Sequence, residues 1–171
     1  MSLNIRGVVL TVALIACLQA QATPLASLVL KDIRYLPRTL AETGEAAAGG
    51  LIFVDSTCAA SDAALTTAVA LEAEPAAQGV TFLLVNTGAS DSIRQMAYHA
   101  LIHHAPFHAL KDAEGAVAAR LGITTLPAAA LVDAAWTPLW TGTVDGLGGA
   151  LAARAGAEAL PASTAGGPCA I

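Results

Sequence analysis

The stretch that most restricts what this chain can fold into is Val80-Thr-Phe-Leu-Leu-Val85, an almost wholly apolar run. A strand of this kind is covered on both faces and belongs at the centre of a sheet. Leu51 to Val54 is a second compact apolar segment, bounded by Gly49-Gly50 upstream and by Asp55-Ser56-Thr57 downstream, and it too reads as a buried strand. Directly after it comes Cys58, at the point where a helix-forming pattern begins over Ala59 to Glu74. A thiol at the start of a helix faces unpaired backbone N–H groups and the positive end of the helix dipole. Both favour thiolate over thiol. The other reading of Cys58 is a buried, inert cysteine, since this residue type is among the most often buried.

The remaining elements follow from local signals. Leu28 to Leu40 holds a short strand followed by a Pro-bearing connection, with Lys31, Arg34 and Arg38 as a solvated face, and residues 44–50 read as a surface loop. Asn86 to Asp91 supplies a turn and a cap for a helix from about Ser92 to His103. Phe107 to Leu110 is extended. Asp112 caps a short helix, Ala113 to Leu121, which Gly122 closes. Ala128 to Val132 and Leu139 to Thr143 are two strands whose short separation favours an antiparallel pair. Leu147 to Ala159 reads as a last helix. The domain spans 23–159, and 160–171, rich in Ala, Gly and Pro, reads as a flexible tail.

Met1 to Ala22 has the form of a signal peptide: Arg6 supplies the charge, Gly7 to Leu18 the apolar run, and Ala20-Gln21-Ala22 a small-x-small cleavage site. It implies export to the periplasm or the medium. Leu14-Ile15-Ala16-Cys17 resembles the lipobox of bacterial lipoproteins, which would anchor the chain to a membrane through Cys17; otherwise Cys17 is discarded with the signal. The net charge of −5 and an aromatic content of 4% leave neither a basic footprint nor stacking platforms for nucleic acid.

The order of strand, cysteine-bearing helix, strand, helix, short helix, proline and hairpin resembles the thioredoxin-like fold, in its redoxin branch. The segments that carry this likeness are Leu51-Ile-Phe-Val-Asp-Ser-Thr-Cys58-Ala-Ala-Ser61, Phe107-His-Ala-Leu-Lys-Asp112 and Ala116-Val-Ala-Ala-Arg-Leu-Gly122-Ile-Thr-Thr-Leu-Pro127. Ala130-Leu-Val-Asp133 and Trp140-Thr-Gly142-Thr-Val-Asp145 are similar to the family's closing hairpin, with Trp136 and Trp140 packing it. The resemblance implies an α/β fold of three layers with a central mixed sheet. It also implies that Pro127 is cis and lies against Cys58, shaping the groove where a partner thiol or peptide docks; the alternative is an ordinary loop proline. By the same likeness Asp55 is a buried proton acceptor for Cys58, or else a turn residue.

Three departures matter. Where a dithiol thioredoxin has a second loop cysteine this chain has Ser61, the proline that usually follows the first cysteine is Ala59, and the threonine of the peroxiredoxin signature is Asp55. Ser61 could still donate a hydrogen bond toward a Cys58 thiolate. Cys169 either resolves Cys58 from the tail, which is long enough to reach, or is a free or intermolecular thiol. The function implied is an exported thiol–disulfide oxidoreductase, or thiol peroxidase, acting on protein thiols and disulfides or small hydroperoxides without a cofactor. The alternative is a redox-inactive binding or metal-handling module. It is motivated by His99 and His103, four apart on one helix face and able to chelate a metal, beside His104 and His108; the plainer reading is a solvated helix end.

Overall fold

The computed structural model describes residues 23–43 and 46–171. The signal segment and Cys17 lie outside the described residues. Within them the chain forms β1 (Val29–Asp32), β2 (Pro37–Thr39), β3 (Ala48–Val54), α1 (Ala60–Glu72), β4 (Val80–Asn86), α2 (Ile93–Ile102), β5 (His108–Lys111), α3 (Ala116–Arg120), β6 (Thr125–Leu126), β7 (Ala128–Asp133), β8 (Pro138–Gly142), α4 (Val144–Ala155) and β9 (Cys169–Ala170). Seven strands make one mixed sheet in the order β2-β1-β5-β4-β3-β7-β8, and β6 and β9 pair separately. β3 runs parallel to β4 and antiparallel to β7, and β7 and β8 are the expected antiparallel hairpin.

The two apolar runs are adjacent strands near the centre of this sheet, and all seven residues of β3 are buried. Alternation divides their side chains between two cores. Ile52, Val54 and Leu84 pack with α1, α2 and α4 through Leu65, Met96 and Leu147. Leu51, Phe53, Leu83 and Val85 pack on the opposite face with α3 and the N-terminal segment, through Val117, Leu30 and Leu40. The sheet thus lies between two apolar layers. Each fully buried side chain of this size contributes about 1.5–3 kcal/mol relative to exposure, before conformational entropy is counted.

Gly49 and Gly50 do not lie in a surface loop as their composition suggests; they belong to β3. A Cβ on Gly49 would stand 2.9 Å from Cγ2 of Val132, beside the Trp136 ring, and one on Gly50 would touch Phe82. The glycines are there because side chains from neighbouring elements fill the space. Trp140 is buried in the hairpin.

The connection after β1 is also more ordered than its sequence suggests. Pro37 opens an edge strand, where a missing N–H costs no central ladder bond. Asp32 holds the turn, its Oδ1 accepting from the N–H groups of Arg34 (2.8 Å) and Leu36 (3.0 Å) while its Oδ2 meets Arg34 (3.3 Å) and Arg38 (3.2 Å). Arg34 and Arg38 are therefore paired rather than simply solvated. Burial would raise the Asp32 pKa, but these donors prevail and hold it at about 2.

Two helix starts shift for identifiable reasons. Asp112 does cap α3, its Oδ2 accepting from the N–H groups of Val117 and Ala118 at 3.0 Å, but Gly115 turns through φ 65° first, so the helix begins at Ala116. α4 begins at Val144 because the Thr143 side chain accepts from the N–H of Gly146. Ser92 caps α2 in a reciprocal box with Gln95.

The tail is docked, not flexible. The N–H groups of Thr164, Gly167 and Ile171 donate to the carbonyls of Thr141 (2.9 Å), Pro127 (2.7 Å) and Thr124 (3.2 Å), and β9 pairs antiparallel with β6. Small residues permit this closeness. A Cβ on Gly167 would stand 2.5 Å from Cδ of Pro127, and one on Gly166 would overlap the carbonyl of Thr125.

Candidate functional site

Cys58 lies in the loop after β3, four residues beyond Val54 and one before Ala59, the N-cap of α1. It is 4% exposed. Its N–H donates to the carbonyl of Asp55 at 3.1 Å, and its own carbonyl accepts from the N–H of Ser61 at 2.8 Å. Among the described residues no side chain caps the first turn of α1, so the N-terminal end of a 13-residue helix is directed at the Cys58 loop. Cys58 Sγ is bonded to Sγ of Cys169, joining positions 111 apart in sequence.

The Leu126–Pro127 peptide bond is cis. Sγ of Cys58 lies 3.9 Å from the carbonyl oxygen of Leu126, so the proline loop and the cysteine loop face each other. The tail pairs alongside the segment before the proline, with Cys169 opposite Leu126 and Ala170 opposite Thr125. A cavity of about 220 Å³ remains beside this junction, lined by residues that include Ala60, Pro127, Asp145 and Pro168.

Ser61 and Asp55 both make local contacts at the ends of the Cys58 loop. Ser61 is fully buried, and its Oγ accepts from the N–H of Asp55 at 3.2 Å. It ties β3 to α1. Asp55 is half-buried, and its Oδ1 accepts from both the N–H and the hydroxyl of Thr57 at 2.7 Å. The carboxylate is occupied in stabilising the turn, which is the second of the two roles its sequence position allows.

Behind the loop is a polar group that sequence reasoning did not identify. Asp91 accepts from the backbone N–H of Ser56 at 2.8 Å, from the Ser56 hydroxyl, and from the amide of Asn86 at 2.6 Å. Lys111 donates to Oδ1 of Asn86 at 2.6 Å and to the carbonyl of Gly88. All three of Asn86, Asp91 and Lys111 are buried. Burial would raise the Asp91 pKa, but the donors of Asn86 and Ser56 and the charge of Lys111 lower it below the ordinary range. Burial pushes the Lys111 pKa down, opposed by the carboxylates of Asp91, Asp55 and Asp112. The only sequence signal was polar residues at the ends of buried strands.

On the other side of α1, His99 and His103 do share a face of α2, and both meet Asp62 of α1. Their Nε2 atoms lie 2.9 and 3.1 Å from Asp62 Oδ1. Asp62 supplies a carboxylate that no sequence spacing announced. His104, with φ 53°, ends the turn after α2, and His108 is exposed on β5.

No protein-family model matches this chain, and no curated protein matches it by sequence. Solved structures do resemble it. An uncharacterized conserved protein from Geobacillus kaustophilus superposes with a TM-score of 0.73 at 19% identity, over 86% of this chain and 89% of its own. A secreted Mycobacterium tuberculosis disulfide oxidoreductase homologous to E. coli DsbE gives 0.60 at 21% identity, over 75% and 96%. The bacterioferritin comigratory protein of Xanthomonas campestris, described for alkyl peroxide reduction, gives 0.62 at 15% identity, over 78% and 92%. The fold is thioredoxin-like.

Proposed function

We propose that the chain is an exported thiol–disulfide oxidoreductase in which Cys58 is the nucleophile and Cys169 the resolving thiol. The observation that carries this reading is the Cys58–Cys169 bond itself, held at a helix N-terminus against a cis proline. Ser61 leaves no partner thiol one helical turn away, and the tail supplies one instead. In the reduced protein the Cys58 thiolate, stabilised by the first-turn N–H groups of α1, attacks one sulfur of a substrate disulfide and expels the other as a thiolate. Cys169 then attacks Cys58 Sγ, releasing the second substrate thiol and forming the internal disulfide. Two electrons pass from the protein to the substrate.

Recovery requires a dithiol reductant. Cys169 is half-exposed while Cys58 is buried, so the incoming thiolate meets Cys169 first, and the leaving group is the helix-stabilised Cys58 thiolate. A low-pKa leaving group makes that step the faster of the two possible attacks. Pro127 and Leu126 form the floor of the groove in which substrate takes the position of the tail. The choice of disulfide over hydroperoxide is supported by Asp55, which replaces the peroxiredoxin threonine and spends its carboxylate on Thr57.

Export is part of the proposal. It rests on the form of residues 1–22 and on the secreted character of the Mycobacterium neighbour. Among the described residues no helix is long and apolar enough to cross a membrane. Lipid attachment through Cys17 is the membrane-bound version of the same reading.

The test is turnover of a disulfide-linked model peptide with a dithiol reductant. Cys58→Ala is expected to abolish turnover, and Cys169→Ala to accumulate a mixed disulfide between Cys58 and the peptide. Unchanged turnover in Cys58→Ala would remove the reading.

A further inference from the structure

Asp62, His99 and His103 are not used by the thiol chemistry, yet they bring two imidazole nitrogens and a carboxylate oxygen within 4.8 Å of one another. We propose that they form a binding site for a divalent transition ion of zinc type, with one coordination position left to water. The two histidines are four residues apart on α2, which places their rings on one face, and the rings meet edge to face with centroids 4.9 Å apart. Asp62 comes from the first turn of α1. The site is therefore held between two helices that pack on the same core, not strung along one flexible segment.

The distances suit the ion. Zinc binds imidazole nitrogen and carboxylate oxygen at about 2.0–2.2 Å, so the edges of a tetrahedral donor set are about 3.3 Å. The two Nε2 atoms stand 2.9 and 3.1 Å from Asp62 Oδ1, so these two edges need a shift of only a few tenths of an ångström, and all three donor atoms lie within 4.8 Å of one another. Asp62 can make that shift because its side chain is 56% exposed, whereas that of His99 is 6% exposed and fixed by packing.

Mixed nitrogen and oxygen donors select zinc, cobalt, nickel or copper over calcium and magnesium, which take all-oxygen sets. One feature sets the strength. A ligating histidine ordinarily donates its other ring N–H to an acceptor, and the loss of such a contact costs 10–100-fold in affinity. Nδ1 of His99 is buried with no hydrogen-bond partner among the described residues. The site is accordingly a micromolar one, below the affinity of closed structural zinc sites.

The experiment is zinc titration by calorimetry on the chain from residue 23 onward with its Cys58–Cys169 disulfide intact, so that no thiolate of that pair competes for metal. The expected result is one equivalent bound with Kd of about 1–10 µM, weakened at least about tenfold in both Asp62→Asn and His103→Gln. Those two positions are the more exposed members of the three, so both variants keep the core. Cobalt substitution then gives visible bands whose intensity reports four-coordination. No uptake at about 100 µM zinc, or undiminished uptake in either variant, would overturn the proposal. Neither outcome depends on whether Cys58 turns over a substrate.

Discussion

The Cys58 loop is held from two sides by bonds of different kinds. On one side the tail covers it, through a disulfide and a short backbone ladder from β9 to β6. On the other, Asp91, Asn86 and Lys111 hold Ser56 through buried polar contacts. Cutting the S–S bond would leave the first attachment to the backbone hydrogen bonds of Thr164, Gly167 and Ile171 and the β6–β9 pair. The second contains no sulfur and persists through any thiol exchange. The difference is one of chemistry: the Cys58 loop is fixed from behind without sulfur, whereas its cover includes a bond that a thiol can exchange.

The sharpest way to break that pairing is Cys169→Ser. Removing a link between positions 111 apart restores chain entropy to the unfolded state and is expected to cost about 2–5 kcal/mol, read as a fall in the urea midpoint relative to the oxidised protein. Against the fully reduced protein the same variant should unfold at nearly the same urea concentration, and a large remaining gap would contradict a purely redox-dependent cover. Asp91→Ala acts on the opposite side. It strands buried donors of Asn86 and Ser56 and should destabilise oxidised and reduced protein alike by about 2–3 kcal/mol.

Gly167→Ala separates the two sides further. Its Cβ would meet Pro127 and the carbonyl of Leu126, so the oxidised form should lose about 1–3 kcal/mol while the reduced form is unaffected, making the disulfide easier to reduce in a redox titration. The smallest effect is on pH. The Asp91 pKa is lowered on folding, so its stabilisation is complete above the unfolded value of about 3.9 and is lost as pH falls through the lower folded value. Acid titration of stability should show this loss in both redox states and lack it in Asp91→Asn.

The sheet was legible because Leu51–Val54 is wholly apolar and Val80–Val85 is apolar but for Thr81, the composition favoured in strands covered on both faces. Ser92 and Thr143 mark helix starts through hydroxyls that act locally, but the sequence reading placed the first cap within Asn86–Asp91, before Ser92, and began the last helix at Leu147, after Thr143. What sequence did not give was anything decided by packing across the fold. Gly49 and Gly50 look like a loop until Val132 and Phe82 are seen filling their space, and Gly166 and Gly167 look like a flexible tail until Pro127 lies beneath them. Cys58, Pro127 and Cys169 could each be named, but the contact among them is a tertiary fact. Asp62 could not be named, because its histidines lie 37 or more positions away and no local period relates them.

β3 has one further consequence, in the order of assembly. It is the strand on which the sheet turns, and it pairs with β4 soon after it in sequence but with β7 only after most of the domain has been made. Contacts of such separation form slowly, since the loop between them must close first. Cys169 follows every strand of the seven-stranded sheet in chain order, and its partner Leu126 lies in β6, directly before β7. The β6–β9 register that seats this bond therefore needs the sheet in place, so the native pairing of the tail is a late contact in assembly.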